Sequence, residues 1–284
     1  MRDFYFHTPT TLDQALSLLE EHAEDGRPMA GGTALVVMMK QSLLSSDHLI
    51  SLERIPGLTG VRAAADGLHI GALTRHREME TSPVVKEHIP FLAEVFSRVA
   101  TVRIRNVATV GGSLAHADPA QDPPAGLIAL GASVKLTSKR GERSVAVDQL
   151  FSDYYETVIE PGELLTEVIV PMPQAGTRSV YLKYLPRTED DYATVAVAAT
   201  ARVENGTVRN LRVALGAAAP TPVHATAVER ELEGKSVTAQ AVRQAAEAVV
   251  SQIDPLDDFR GSSSYKRDMA VVFTRRALER VLGL

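Results

Sequence analysis

The sequence predicts an α+β protein with a larger N-terminal domain, residues 1–175, and a smaller C-terminal domain, residues 176–284. Short strands and helices are mixed along the first part, whereas three strand patterns precede three helix patterns in the last part. Residues 171–176 separate the two, because two prolines and a glycine interrupt regular pairing there. A further change of pattern at Pro56-Gly57 indicates subdomains of about residues 1–56 and 57–175.

The first subdomain reads as a small α/β unit. Apolar residues recur at helical spacing over residues 11–23, and Thr11 with Gln14 matches the capping box that starts many helices. A second helix is expected from about residue 34 to 40, and a strand over residues 48–52.

The other elements follow from the same patterns. In the second subdomain we expect a strand over residues 67–73, a helix over 90–100, a helix over 123–130, a hairpin over 134–147 and a strand over 167–171. Residues 101–124 show little periodicity and are interpreted as a long binding loop. In the C-terminal domain we expect strands over 179–184, 192–203 and 208–217, then helices over 223–233, 238–251 and 264–282.

Composition excludes several kinds of chemistry. The chain contains no cysteine, so it forms no disulfide, thiolate zinc site, cysteine nucleophile or cysteine-ligated iron–sulfur cluster. A net charge of −5 without a basic run argues against a nucleic-acid partner. The start lacks an apolar signal region, and apolar residues never run 18 together, so we expect neither secretion nor a membrane span and take the cytoplasm as the location.

Two glycine pairs are the candidate ligand-binding motifs. The first is Gly31-Gly32-Thr33, between a predicted strand and a helix start, and the second is Gly111-Gly112-Ser113. Adjacent glycines allow close backbone approach, and free N–H groups at a helix start attract a pyrophosphate. An ordinary tight turn is the alternative for each motif, because short glycine motifs recur widely.

Polar residues around the second motif allow more than one interpretation. Asp118 and Asp122 could accept hydrogen bonds from sugar or ribityl hydroxyls, or could join His116 in a metal site. A single nitrogen ligand argues against the metal site, and local hydrogen bonds that fix the loop are the alternative for His116 and Asp118. Arg103 and Arg105 could face a phosphate or be solvated.

Four segments together resemble the FAD-binding medium subunit of molybdenum hydroxylases, a family that includes aerobic carbon monoxide dehydrogenase and the xanthine, nicotinate and aldehyde dehydrogenases. They are residues 30–33, 104–124, 162–171 and 259–267, and the resemblance extends over essentially the whole chain. It implies a two-part FAD-binding domain of the PCMH type, followed by a smaller α+β domain with an antiparallel sheet and helices.

The resemblance also implies which residues bind FAD. Both glycine motifs would hold the pyrophosphate, Asp122 would bind the ribityl or nearby hydroxyls, Leu165 and Lys183 would line the flavin and adenine ends, and Tyr192 would lie near the isoalloxazine. A core tyrosine at the start of a strand is the alternative for Tyr192. The motif residues are Met29, Ala30, Gly31, Gly32, Thr33, Ala34 and Leu35, with Thr109, Val110, Gly111, Gly112 and Ser113.

Two positions depart from the family pattern. Ser113 stands where many members have Asn, and Ala34 stands where others carry a polar residue. Side-chain contacts with the cofactor are therefore expected to be weaker or absent at these two positions, whereas backbone contacts need neither side chain.

The function implied by the resemblance is electron transfer. Electrons from a large molybdenum-cofactor subunit would pass through iron–sulfur clusters of a small subunit to FAD on this chain and then to an external acceptor, in a heterotrimer that is itself doubled. No catalytic side chain and no metal ligand are assigned. The alternatives are a self-contained flavin oxidase or reductase of the same fold, and a non-catalytic FAD carrier.

Overall fold

The computed structural model describes residues 3–185, 188 and 191–284. The N-terminal region, up to residue 56, contains a parallel three-stranded sheet in the order β1-β3-β2. Its elements are β1 (Tyr5–His7), α1 (Leu12–Glu21), β2 (Gly26–Met29), α2 (Thr33–Lys40) and β3 (His48–Ser51).

Helix α1 begins where its sequence predicts, with one change in the capping. The Thr11 hydroxyl accepts a hydrogen bond from the Gln14 N–H, whereas the Gln14 side chain accepts from the N–H of Thr10 instead of Thr11. The buried face of α1, which includes Ala15 and Leu16, packs with Ile50 of β3. Strand β1 was not predicted, because three residues are too few to show an alternating pattern.

The middle region, residues 57–175, is built on an antiparallel sheet in the order β4-β5-β10-β6-β7. Strand β10 is central, with Val168 paired to Ile70 on one side and to Val134 on the other. The elements are β4 (Val61–Ala64), β5 (Gly67–Gly71), α3 (His76–Thr81), α4 (Pro83–His88), α5 (Pro90–Ser97), α6 (Val102–Arg105), α7 (Val110–His116), α8 (Asp122–Ala129), β6 (Ser133–Ser138), β7 (Gly141–Ala146), β8 (Phe151–Asp153), β9 (Glu156–Thr157) and β10 (Leu164–Val170).

The prediction of one long loop over residues 101–124 is wrong. This stretch contains α6, α7 and the start of α8. Helices of four to eight residues are shorter than the window in which helical periodicity can be recognised. Their starts are marked instead by capping threonines, since Thr101 accepts from the Ile104 N–H and Thr109 from the Gly112 N–H.

The C-terminal region, residues 176–284, has an antiparallel sheet in the order β11-β12-β13-β14. Its elements are β11 (Arg178–Tyr184), β12 (Val195–Glu204), β13 (Thr207–Gly216), β14 (Val223–His224), α9 (Thr226–Leu232), α10 (Ala239–Glu247) and α11 (Ser263–Leu282). The helix expected from residue 223 therefore begins three residues later, after a short strand.

Strand β12 is buried on both faces. Val195 and Val197 belong to the apolar core formed with α9 to α11, whereas Ala196 and Ala198 belong to the core of the middle region. Small side chains on that second face let α8 pack closely against the sheet. The predicted α+β fold class is confirmed, and the C-terminal sheet contributes to two cores.

Candidate functional site

The first glycine motif lies at the junction of β2 and α2. A Cβ atom on Gly31 would lie 2.0 Å from the carbonyl oxygen of Val107, so no other residue fits without movement of the backbone. Gly32 precedes α2 with a φ of +69°, in the left-handed region that favours glycine. These two requirements explain why both positions are glycine.

The start of α2 offers free hydrogen-bond donors. Within the described part of the chain, the N–H groups of Thr33, Ala34 and Leu35 have no acceptor, and neither does the Thr33 hydroxyl; the first helical bond runs from Val36 N–H to Gly32 O at 3.0 Å. Unpaired amides at a helix start carry partial positive charge and suit an anionic group. The arrangement therefore fits a phosphate of a nucleotide cofactor.

The second glycine motif, at the start of α7, has its donors already paired. The Val110 N–H donates to Thr74 O at 2.9 Å, and the Gly111 N–H donates to Ala72 O at 2.8 Å. The Gly112 N–H donates to the Thr109 hydroxyl at 3.1 Å, and the Ser113 N–H donates to Thr109 O at 3.0 Å.

The glycines of this second motif allow close packing. A Cβ on Gly111 would be 2.6 Å from the Cβ of Ala72, at the end of β5. A Cβ on Gly112 would be 3.3 Å from the Cβ of Ala30, in the first motif. The structure thus brings the two motifs together although they lie about 80 positions apart in the sequence.

Two buried side chains support the second motif: His76, which was not identified from the sequence, and Arg105, for which the alternative of a solvated side chain is wrong because it is buried. The His76 ring Nε2 lies 3.1 Å from Thr109 O, and burial lowers the pKa of His76 to about 4. The ring is therefore neutral near pH 7. Arg105 is buried and donates to Glu80 and to the carbonyls of Val99 and Ala100, so it orders the preceding turn, whereas Arg103 is exposed.

Asp122 and Lys183 form a buried ion pair between the middle and C-terminal regions. The side chain of each is 4% exposed, and Lys183 Nζ lies 2.9 Å from Asp122 Oδ2 and 2.9 Å from Arg98 O. The Tyr181 hydroxyl donates to Asp122 Oδ1 at 2.5 Å. Burial raises the pKa of Asp122 above its usual value, while Lys183 and Tyr181 oppose that rise. Contact of either residue with FAD stays a prediction.

Tyr192 lies in an aromatic cluster at the protein surface. It precedes β12 and is 47% exposed, so the alternative of a core tyrosine is wrong. Burial of part of the ring, together with the Asp118 carboxylate, raises the pKa of Tyr192 to about 12. The guanidinium of Arg260 lies 5.6 Å from its ring centre.

Tyr155 extends this cluster, and no sequence signal identified it. Its ring centre lies 5.3 Å from that of His116, and its N–H donates to Ala117 O. Burial and the nearby Asp118 raise the pKa of Tyr155. Asp118 itself accepts from the Ala120 N–H at 2.9 Å, a local hydrogen bond that fixes the turn.

Leu165 lies in β10 and is 7% exposed. It is paired with Leu136 and belongs to the core of the middle region. The predicted contact between Leu165 and the flavin stays a prediction.

A helix start whose first amides have no acceptor among the described residues, preceded by one glycine motif and in contact with a second, is typical of a protein that binds a nucleotide cofactor. The sequence matches the family described as FAD binding domain in molybdopterin dehydrogenase over residues 2–173. It also matches the CO dehydrogenase flavoprotein C-terminal domain over residues 180–281. The chain belongs to this family of FAD-binding oxidoreductase subunits of molybdenum hydroxylases, and its cofactor is FAD.

Relatives match along their whole length. The chain is 37% identical to the carbon monoxide dehydrogenase medium chain of Hydrogenophaga pseudoflava, covering 97% of this chain and 96% of that one. It is 34% identical to the glyceraldehyde dehydrogenase medium chain of Sulfolobus acidocaldarius, covering 98% of each.

Solved structures agree with this assignment. Carbon monoxide dehydrogenase from Hydrogenophaga pseudoflava, in a form that lacks the Mo-pyranopterin moiety, superposes with a TM-score of 0.97 at 38% identity, over 99% of this chain and 98% of that chain. Quinoline 2-oxidoreductase from Pseudomonas putida 86 superposes with a TM-score of 0.93 at 30% identity, over 99% and 98%. Within the described residues, no helix combines the length and apolar character needed to cross a membrane.

Proposed function

We propose that this chain is the electron-transfer subunit of a molybdenum-containing hydroxylase, passing electrons from iron–sulfur clusters of a partner subunit through FAD to an external acceptor. The free amides at the start of α2, within a domain of the FAD-binding family, are the observation that carries the proposal. The absence of cysteine supports it, because electrons held in cysteine-ligated clusters must come from another chain.

The first motif would bind the pyrophosphate through its backbone. The N–H groups of Thr33, Ala34 and Leu35 and the Thr33 hydroxyl are available for this, and residues 29–32 would form the wall of the site. The second motif, residues 109–113, would line the site beneath the first. Its remaining donor would be the Thr109 hydroxyl, because the Ser113 hydroxyl donates to Val110 O at 2.9 Å.

The other proposed contacts lie toward the C-terminal region. Asp122 would bind the ribityl or nearby hydroxyls, and Leu165 and Lys183 would line the flavin and adenine ends. Tyr192 would cover the isoalloxazine from the solvent side, because its half-exposed ring is flanked by Arg260 and Tyr155. A phenol whose pKa is raised to about 12 stays neutral near pH 7, so Tyr192 would present an uncharged face.

Bound FAD supplies a redox centre that exchanges both one and two electrons. The protein orients it and shields it from water. No side chain of the site needs to act as an acid or base toward an organic substrate, which agrees with hydroxylation in a partner subunit.

The assembly belongs to the same proposal. We expect a large molybdenum-cofactor subunit and a small iron–sulfur subunit, arranged as a dimer of heterotrimers in the cytoplasm. The medium chains of carbon monoxide dehydrogenase and glyceraldehyde dehydrogenase support the multi-subunit arrangement.

Purification of the chain with and without its co-expressed partners tests the proposal. We expect one FAD per chain, reduction of that FAD only when the small subunit and a substrate of the large subunit are present, and no turnover of organic substrates by the isolated chain. A protein that cannot be reconstituted with FAD would contradict the proposal. Reduction of the isolated chain by an organic substrate would favour a self-contained oxidase, and FAD that never becomes reduced in the complex would favour a carrier.

A further inference from the structure

Three histidines lie together beside strands β1 and β3 of the parallel sheet. His7 ends β1, His22 follows α1, and His48 begins β3. One ring nitrogen from each histidine lies within 4.8 Å of the other two, and His7 Nε2 is 2.9 Å from His48 Nδ1. The rings of His22 and His48 are stacked, with centres 3.6 Å apart.

The backbone around these histidines is held firmly. His7 and His48 lie on neighbouring parallel strands, in which Tyr5 is paired with His48. The Ser46 hydroxyl is 2.6 Å from Asp25 O and 2.9 Å from His48 O, so it fixes the start of β3. All three histidines are half-buried, so water and ions can reach them.

Glycine 26 makes the approach of His22 to the sheet possible. The Gly26 N–H donates to His22 O at 2.6 Å, and a Cβ on Gly26 would lie 2.6 Å from that same oxygen. The position of His22 is therefore set by a turn that only glycine allows without movement.

Three imidazoles at this spacing are a ligand set for a transition metal ion. Imidazole nitrogen binds Zn²⁺, Cu²⁺ and Ni²⁺, and three histidines with one open position are a known zinc arrangement. Ligand nitrogens about 2.0–2.1 Å from the metal lie roughly 3.3 Å from one another, which is within the range of separations here. The stacked His22 and His48 rings need only tilt so that both lone pairs point at one ion.

A fourth ligand is within reach. Glu21 Oε1 lies 4.0 Å from His22 Nε2, and its side chain is exposed and free to move. We propose that His7, His22 and His48 bind one divalent transition metal ion of the zinc class, with Glu21 or water in the fourth position. The ion joins β1, the end of α1 and β3, which are otherwise held by short strands.

This site is separate from the cofactor site. His48 is paired with Gly26 at one end of β2, and Met29, where the first glycine motif starts, is three residues further on, roughly 10 Å along the strand. His7 is level with Pro28, but β3 lies between their strands, so the two backbones are roughly 10 Å apart across the sheet. The ion therefore acts on the stability of the sheet and makes no direct contact with FAD.

Metal titration of the full-length, FAD-loaded chain tests the proposal. After dialysis against a chelator, Zn²⁺ is added in a calorimeter and Co²⁺ in a spectrophotometer. We expect one ion per chain, and a Co²⁺ spectrum typical of nitrogen ligation in four-fold coordination. No stoichiometric binding, or a Co²⁺ spectrum of the hydrated ion, would overturn the proposal.

Variants locate the ion. His22→Ala should weaken Zn²⁺ binding at least 10-fold, since even outer residues of metal sites cost about 10–100-fold when replaced. The matched control is His88→Ala, an exposed histidine at the end of α4, which should bind as the wild type does. If His22→Ala does not fold, His7→Gln is measured instead, and unchanged Zn²⁺ affinity in either variant would overturn the proposal.

Discussion

The two glycine motifs have nearly the same sequence, but the structure uses them differently. Among the residues that the structure describes, the first motif leaves three N–H groups of α2 without acceptors, whereas in the second the N–H groups of residues 110–113 all have acceptors. Gly32 of the first motif permits a left-handed backbone and Gly31 permits contact with Val107 O, whereas the glycines of the second motif permit contact with Ala72 and Ala30. The first motif is therefore suited to binding the cofactor, and the second is suited to supporting the first.

The largest expected effect concerns the support of the second motif by His76. Its pKa falls from 6.5 in the unfolded chain to about 4 in the fold, so the unfolded state binds a proton first as the pH falls. The free energy of unfolding should therefore decrease between pH 6.5 and 4, by at most about 3 kcal/mol. Urea denaturation across this range measures the decrease.

His76→Gln provides the comparison for that experiment, because it keeps a donor toward Thr109 O and does not titrate. It should lose the part of the pH dependence that belongs to His76, whereas His88→Ala should retain it. An identical pH dependence in wild type and His76→Gln would show that His76 does not support the motif through its neutral form.

Gly111→Ala tests the packing role of the second motif. The added methyl group meets Ala72 at 2.6 Å, and such overpacking should cost about 2 kcal/mol of stability in the apo chain. Urea denaturation of the FAD-free protein measures this cost. Unchanged stability would mean that the contact between α7 and β5 is loose, and the comparison between the motifs would then fail.

Gly32→Ala tests the backbone role of the first motif. The space around this residue is adequate, but the φ of +69° should cost about 1 kcal/mol with a Cβ present. Because relief of that strain redirects the free amides, FAD should bind about tenfold more weakly, a loss of about 1.4 kcal/mol. Fluorescence titration with FAD measures the affinity.

Gly57→Ala is the matched control for Gly32→Ala. Gly57 also has a positive φ, of +85°, with nothing within 4 Å of the added methyl group, but it lies outside the motifs. It should lose similar stability and keep its affinity for FAD. If Gly32→Ala and Gly57→Ala lost the same affinity for FAD, the loss would come from lower stability of the protein and not from the first motif.

The smallest effect is expected from Thr33→Val. Its hydroxyl has no partner within the described residues, so the apo chain should be as stable as the wild type. Loss of one hydrogen bond to a phosphate should weaken FAD binding about fivefold, or about 1 kcal/mol. Thr177→Val, between β10 and β11, is the control and should change neither the stability of the apo chain nor the affinity for FAD. Wild-type affinity for FAD in Thr33→Val would exclude the Thr33 hydroxyl from the site.

The sequence predicted those elements whose signals are local. The β6-β7 hairpin turns at Lys139 and Arg140, β12 and β13 join at Asn205-Gly206, and α11 is 20 residues long, so turn residues or length identified each of them. Strand β1 and helices α6 and α7 are too short to show a period.

The candidate site was predictable where a motif is continuous in sequence. Both glycine pairs were found in this way, and the structure brings them together. The sequence did not identify His76, Tyr155 or the three clustered histidines, because the residues that each of them contacts are distant in the sequence. His7 and His48, for example, are 41 positions apart.

The pairing of Asp122 with Lys183 has a consequence for how the chain can be divided. Separating the middle and C-terminal regions would break the ion pair and would also remove the hydrogen bonds of Tyr181 to Asp122 and of Lys183 to Arg98 O, so both charges would depend on water instead. The same cut would expose the alanine face of β12 to water. A gene split at the linker between the two matched families would therefore be expected to yield fragments that are stable only in each other's presence.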